Sequence, residues 1–363
     1  MRYRGTNFME RRYFINKIMS TKMKKKTLYI IAGILACISS TSVQGQDIHF
    51  SQFYQTTILN NPGLVGVFNE DYKVGAIYRT QWNTIATPFQ TELIDLETKV
   101  LVNDVNDYIS FGLLGYSDKA GAISFQTTGF YPAINYNKSM EDKYNSYLSV
   151  GLTGGYISRT IDPSKMTFDN QYLNGNYSSS NPTGEQITSS KVSYWDLGVG
   201  VTWNSSFDED NKVNYFLGAA AYHVSFPKTS FLGDNSINLK MRYDANLGLN
   251  YDLDGTYNLM FYANVMLQSP YHEYIGGAML KYILPSNSNT PPFSLAAGVF
   301  YRYQDSWIPT VKLNYKKTAI TFSYDINTSS LKNLTNSFGG FEISLFTSGM
   351  WGGYDDKHLC PRF

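Results

Sequence analysis

Hydrophobic and polar residues alternate with a period of two along most of the chain, and the two sets are well separated. Over residues 192–204 one side of an extended chain carries Trp195, Leu197, Val199, Val201 and Trp203. The other side carries Tyr194, Asp196, Gly198, Gly200, Thr202 and Asn204. Such alternation marks a strand with one apolar and one polar face. It recurs with Met241, Tyr243, Ala245, Leu247, Leu249 and Tyr251 set against Arg242, Asp244, Asn246, Gly248, Asn250 and Asp252. Tyr257, Leu259, Phe261, Ala263, Val265 and Leu267 repeat it, as do Tyr144, Leu148, Val150, Leu152 and Tyr156. Eight residues separate the two tryptophans, about 27 Å along a strand. A tilt of about 40° reduces this to roughly 20 Å of height, near the apolar band of an outer-membrane barrel. Trp195, Trp203, Tyr243 and Tyr251 accordingly read as aromatic girdle residues.

A soluble sandwich also alternates, but its polar faces meet water and collect Lys and Glu. Here the polar faces are built from Gly, Asn, Ser, Thr and Tyr, which suits a confined lumen. The pattern predicts an all-β fold, a transmembrane antiparallel barrel of about fourteen strands. Alternation and turn signals place them over 72–84, 89–102, 106–117, 121–137, 143–157, 190–205, 211–226, 238–252, 256–267, 271–285, 291–303, 305–316, 317–328 and 337–347. An even count puts both termini on the periplasmic side. Tight connectors such as Asn103-Asp104, Asp208-Glu209-Asp210-Asn211 and Asp252-Leu253-Asp254-Gly255 then face the periplasm, and the long segments 158–190, 226–237 and 328–337 lie outside the cell. Residues 72–348 form the barrel and 349–363 a periplasmic tail. Residues 46–71, with the turn signal Asn61-Pro62-Gly63, are too few for a second domain. They either tuck into the lumen or lie along its periplasmic rim.

Composition removes other classes. The chain of 363 residues is 16% aromatic and 16% charged, unlike a disordered chain. No apolar run past the N-terminal region reaches the roughly 18 residues of a membrane helix. Nine of the 30 basic residues and one of the 29 acidic ones precede Gln46, so the remainder carries 21 basic against 28 acidic residues. Such a body has no electrostatic footprint for nucleic acid.

The basic N-terminus is an export signal. Lys24-Lys25-Lys26 precede an apolar stretch over 28–38 that ends in small and polar residues through Val43-Gln44-Gly45. This is the layout of a secretory signal peptide over 1–45, cleaved after Gly45, with residues 1–22 upstream of a start at Met23. Lipidation at Cys37, within Ile34-Leu35-Ala36-Cys37, is the alternative. With Cys37 removed, Cys360 has no partner for an intrachain disulfide.

Candidate chemistry is sparse. His49, His223, His272 and His358 show no metal-ligand spacing, and none sits in a motif for nucleophilic catalysis. His223, beside Tyr222, reads as a lumen or interface residue. Asp162, Lys165, Asp169 and Glu185 lack the spacing of a calcium loop. No cofactor is expected. The constellation with most content is charged. Alternation puts Arg79 and Gln81 on the inner face of the first strand and Glu342 on that of the last, and those strands meet when a barrel closes. An Arg79–Glu342 pair follows, which Asp325, Arg242, Asp244 and Asp196 extend. It reads as a structural plug of paired charges, with a selectivity ring for a diffusing solute as the alternative.

Several segments resemble one family. His49-Phe50-Ser51-Gln52-Phe53-Tyr54 is followed by Leu59-Asn60-Asn61-Pro62-Gly63-Leu64-Val65-Gly66, where the family more often has Asn-Pro-Ala. Tyr78-Arg79-Thr80-Gln81-Trp82 is similar to a Tyr-Arg-x-Gln-Trp motif. Tyr324-Asp325 and Gly339-Gly340-Phe341-Glu342-Ile343-Ser344-Leu345 follow near the end, with Cys360-Pro361-Arg362-Phe363 at the close. Their order and spacing resemble the PorP/SprF family of type IX secretion system membrane proteins. The signature residues are thus Phe50, Ser51, Gln52, Asn61, Pro62, Tyr78, Arg79, Gln81, Trp82, Tyr324, Asp325 and Glu342. The resemblance implies a non-enzymatic outer-membrane barrel that works with type IX translocon or motility components. It also implies a partner, a large adhesin-like surface protein with a type B C-terminal sorting domain, exported and held through the extracellular loops. Alternation alone leaves a second expectation, an outer-membrane porin or transporter of small solutes. An outer-membrane enzyme is the third and weakest reading.

Overall fold

The computed structural model describes residues 47–82, 87–102, 106–185, 187–234, 236–285, 293–329 and 332–351. The expected signal segment with Cys37, the expected Asn103-Asp104 turn, His358 and the Cys360-Pro361-Arg362-Phe363 ending lie outside the described residues.

Fourteen long strands close into one antiparallel barrel. They are β1 (Tyr72–Gln81), β2 (Phe89–Leu101), β3 (Tyr108–Ala120), β4 (Phe125–Ser139) and β5 (Tyr147–Thr160), then β8 (Lys191–Ser206), β9 (Val213–Tyr222) and β10 (Arg242–Asp252). β11 (Tyr257–Gln268), β12 (Tyr271–Ile283), β13 (Phe293–Arg302), β14 (Ser306–Tyr315), β15 (Thr318–Asn327) and β16 (Phe338–Gly349) complete it. Each pairs with its sequence neighbour, and β1 closes on β16 with Arg79 opposite Glu342. Among the described residues no helix is long and apolar enough to cross a membrane.

Burial alternates as strictly as hydropathy. In β8 Trp195 is 71% exposed while its neighbour Asp196 is fully buried. Trp195 and Tyr243 stand on the outer face near one end of the barrel; Trp203 and Tyr251 stand near the other. The outer face between them carries leucine, valine and phenylalanine, among them Leu197, Val199, Val201 and Leu217. An apolar belt of this kind is stable only against lipid.

Several strand ends differ from the sequence reading, for local reasons. The expected strand over 121–137 begins at Phe125, because Gly121 and Ser124 take left-handed conformations, with φ of +66° and +50°, and make the turn. β3 runs on to Ala120 instead of stopping at 117. The expected strand over 211–226 ends at Tyr222, since His223 and Phe226 both have positive φ. The long 158–190 segment is partly ordered. It contains the hairpin β6 (Tyr172–Leu173) and β7 (Asn176–Tyr177), turned at Asn174-Gly175 with φ of +53° and +81°, as an Asn-Gly hairpin requires.

The three longest connectors, 161–190, 223–241 and 328–337, share one end of the barrel, hereafter the long-loop end, with the tight links 121–124, 269–270 and 303–305. The short links at 207–212, 253–256 and 316–317 lie at the other, the short-turn end.

Candidate functional site

Residues 47–71 run through the inside of the barrel from the long-loop end to the short-turn end, where the chain enters β1. Their contacts fix the path. Asp47 meets His223 and Arg242 at the long-loop end. Asn61 reaches Thr202 and Asn246 midway, and the Gly66 N–H donates to Glu97 Oε2 at 2.8 Å nearer the short turns.

Apolar side chains of this segment supply most of its packing. Phe50, Ile58, Leu59 and Val65 pack with inward residues of the wall, including Ile77, Leu93, Leu114 and Ile157. Phe53 packs with Ile275, Met279, Phe300 and Ile308. Tyr54 lies between Tyr262 and Phe300, stacked at centroid distances of 4.9 and 5.4 Å. Burial of such side chains stabilises by about 1.5–3 kcal/mol each.

Wall glycines let the backbone come this close. The turn Pro62–Leu64 is pinned by Asn61, whose Oδ1 accepts the Gly63 N–H at 2.8 Å. A Cβ at Gly151 would fall 2.2 Å from the Pro62 carbonyl, and one at Gly200 would fall 2.0 Å from Asn61 Oδ1. No side chain fits at either position while the segment is seated.

Two charge clusters hold its upper part. In the first, Arg79 Nη2 meets Asp325 Oδ2 and Nη1 meets Glu342 Oε2, both at 2.9 Å. Arg302 joins Asp325 at 3.0 Å and Glu273 at 3.3 Å. Ser51 sits at the centre. Its hydroxyl donates to Asp325 Oδ1 at 2.5 Å and accepts from Arg302 Nη2 at 3.0 Å and from Arg79. The backbone N–H groups of Ser51 and Gln52 both donate to the Glu342 carboxylate at 2.8 Å. The Gln52 amide bonds Ser323, Ser344 and the Glu342 carbonyl. Each charge thus has an opposite charge beside it, as a buried ion cluster needs, although the Nε groups of Arg79 and Arg302 have no hydrogen-bond partner.

In the second cluster His223 bridges two carboxylates, with Nδ1 2.9 Å from Asp196 Oδ2 and Nε2 2.6 Å from Asp47 Oδ2. Arg242 pairs with Asp47 at 2.9 Å and Asp244 at 2.8 Å, and donates to the Leu59 carbonyl. Its guanidinium also lies over the Tyr222 ring, 4.3 Å from the centroid. Burial opposes a charged imidazole, but Asp47 and Asp196 outweigh it and raise His223 to about 9. Burial likewise opposes ionisation of Asp47, yet the charges of His223 and Arg242 hold its carboxyl well below the usual range.

The structure therefore brings Arg79, Asp325 and Glu342 together and places Asp196, Arg242 and Asp244 in a separate group. Among the described residues no ion pair joins the two, so the single extended cluster read from the sequence is two clusters. Gln81 stands beyond the first, opposite Gly340. Tyr78 and Tyr324 point outward, and Trp82 turns the chain after β1, ring to ring with Phe89 at 4.7 Å. Arg302, Glu273, Asp47 and His223 were not in the charge constellation drawn from the sequence. The first three sit beside strand ends or in the N-terminal segment, where alternation assigns no partner. His223 was set aside because a lone histidine without motif points to nothing. Among the described residues no group of three His, Cys, Asp or Glu is arranged to hold a metal ion.

Comparison with known proteins adds the family. The profile of the type IX secretion system membrane protein PorP/SprF matches residues 42–346. The chain belongs to the PorP/SprF family. It is an outer-membrane β-barrel of the type IX secretion system, and that membership implies interaction with secretion components. No curated protein matches it. Among solved structures it is similar to the toluene transporter TbuX of Ralstonia pickettii, at 9% identity and a TM-score of 0.50, covering 81% of this chain and 93% of that one. The translocator domain of the autotransporter NalP from Neisseria meningitidis gives 8% identity and a TM-score of 0.42 over 82% and 95%. At 9% identity the likeness to TbuX is one of fold, a closed outer-membrane barrel.

Proposed function

We propose that this PorP/SprF barrel is a non-catalytic surface anchor that supports export and retention of a large adhesin-like protein bearing a type B C-terminal sorting domain. The long-loop end faces outward from the cell and supplies the recognition surface; the short turns face the periplasm. The carrying observation is the contrast between the two parts of the long-loop end. The lumen there is filled by residues 47–55 and two buried charge clusters, while the β6–β7 hairpin above it presents apolar side chains to solvent. Tyr172, Leu173 and Tyr177 of the β6–β7 hairpin are exposed, with the two tyrosine rings 5.3 Å apart. The neighbouring loop braces this segment: Thr188 and Ser189 N–H groups donate to the Phe231 carbonyl, and Phe231 meets Phe125 edge to face. Rigid aromatic side chains on a braced loop suit protein recognition at low entropic cost.

The test is a gentle-detergent pull-down of the tagged barrel from outer membranes, with bound proteins identified by mass spectrometry. Recovery of one large surface protein through its C-terminal sorting domain supports anchoring. Recovery of the barrel alone, from cells exporting normally, overturns it and favours the solute-transport reading.

A further inference from the structure

At the short-turn end the lumen is hollow. A cavity of about 540 Å³ extends from Phe53, Tyr54 and Tyr262 to the rim at Lys316 and Lys317. Five lysines line it (Lys73, Lys281, Lys312, Lys316 and Lys317), against two carboxylates, Glu70 and Asp252. This excess is local, since the chain beyond Gln46 is acidic overall.

Of the five, only Lys73 has an ion pair among the described residues, and Lys281 and Lys312 stand together on the inner wall. Lys73 is paired with Glu97 at 2.6 Å, but among the described residues neither Lys281 nor Lys312 has an ion pair or a side-chain hydrogen bond. They share one inward row of the wall: Lys281 is opposite Ala296 in β13, and Ala296 is opposite Lys312 in β14. Two strand spacings put their backbones about 10 Å apart, and only a methyl group stands between the stems. Two ammonium groups facing one void repel each other and are partly stripped of water, and an anion between them relieves both costs. On the adjoining wall Asn250 and Asn258 each keep a buried side-chain oxygen without a hydrogen-bond partner. Rotation of either amide presents N–H donors instead.

We propose that this cavity binds an acidic peptide segment entering from the short-turn end. A carboxylate of the segment bridges Lys281 and Lys312, and the amides of Asn250 and Asn258 meet its backbone. The amide lining and the volume fit a peptide better than a single ion. The cations are lysine point charges, with no arginine fork shaped for phosphate. The carboxylates have two sources, a second protein or this chain's own continuation. Ser348 lines the cavity, and seven residues later the sequence reads Asp355-Asp356, within a reach of about 24 Å. The site is independent of the loops at the opposite end.

The probe is an N-acetylated, C-amidated tetra-aspartate titrated calorimetrically into the full chain in detergent, with tetra-asparagine and inorganic phosphate as controls. Tetra-aspartate is expected to bind, more weakly as salt is raised, and Lys281→Gln/Lys312→Gln lowers its affinity at least about tenfold. Independently of that variant, the peptide protects Lys281 and Lys312 of the unaltered protein from acetylation, read by mass spectrometry. Binding at least about tenfold tighter to a chain ending at Trp351 assigns the site to the chain's own acidic tail; equal binding assigns it to a second protein. Absence of binding in both chains, phosphate binding as tightly as the peptide, or lysines left unprotected overturns the proposal.

Discussion

Ser51 and Glu342 are 291 residues apart in sequence, and the backbone N–H of Ser51 donates to the Glu342 carboxylate at 2.8 Å. Glu342 also faces Arg79 across the seam where the first and last strands close. One cluster therefore serves two purposes: it completes the barrel and it seats the segment that fills the lumen. Four of the stretches that resemble the family, around Ser51, Arg79, Asp325 and Glu342, meet there.

Removing the guanidinium leaves two carboxylates buried with Arg302 alone beside them. Arg79→Met is expected to destabilise the folded barrel by about 3–5 kcal/mol, as breaking a buried ion pair does. The measurement is the temperature at which the folded band converts to the unfolded one on a semi-native gel. Arg79→Lys restores only part of the loss, because one ammonium does not span Asp325 and Glu342 together. Equal stability of Arg79→Met and wild type would sink this account of the seam.

Gly151 tests the seating of the segment without touching a charge. Valine suits a strand, so Gly151→Val leaves the barrel intact, but its side chain occupies the space of the Pro62 carbonyl. The turn at 62–64 is expected to leave its seat. Hydrogen exchange of the 61–66 backbone should quicken in Gly151→Val, while in planar bilayers both proteins stay closed, because the charge clusters at the long-loop end are untouched. A conducting wild type would show that the two charge clusters do not seal the lumen.

The barrel was legible because lipid and lumen impose opposite demands on alternate residues, as Trp195 and Asp196 show within one dipeptide. The Asn174-Gly175 turn has a local signature too, the Asn-Gly pair that takes positive φ at both positions. Strand ends such as Tyr222 were less legible, since no glycine or asparagine marks the positive φ of His223. The second charge cluster was half legible: alternation gives Asp196, Arg242 and Asp244, but not Asp47 or His223. Asp47 belongs to a segment without periodicity, and only the folded path shows it 2.6 Å from His223. Arg302 gave no signal beyond being an inward residue at a strand end.

His223 makes the upper seat sensitive to pH. Its folded value of about 9 exceeds the ordinary 6.5, so its contribution is complete below about pH 6.5 and is lost as pH rises through 9. Asp47 is depressed from 3.8, so its contribution is present above that value and falls away in stronger acid. Hydrogen exchange of the 47–52 backbone is expected to be slowest, after correction for intrinsic rates, between about pH 4 and 6.5 and to quicken toward pH 9. His223→Gln should remove the alkaline limb and shrink the acid one, since Arg242 is then the main charge holding the Asp47 carboxyl down. An unchanged alkaline limb in that variant would assign it to another group.

The β6–β7 hairpin offers the most direct test of recognition, because its side chains support little else. Tyr172, Leu173 and Tyr177 are exposed and contact one another more than the wall. Replacing all three by alanine should change barrel stability by no more than about 0.5 kcal/mol. If they form part of the docking surface, loss of aromatic anchors costs at least about 1.4 kcal/mol of binding, a tenfold fall in captured partner. The readout is the amount of large surface protein recovered with the tagged variant, normalised to barrel in the membrane. Capture at the wild-type level, with the variant folded, would move recognition away from this hairpin and toward the 223–241 and 328–337 loops.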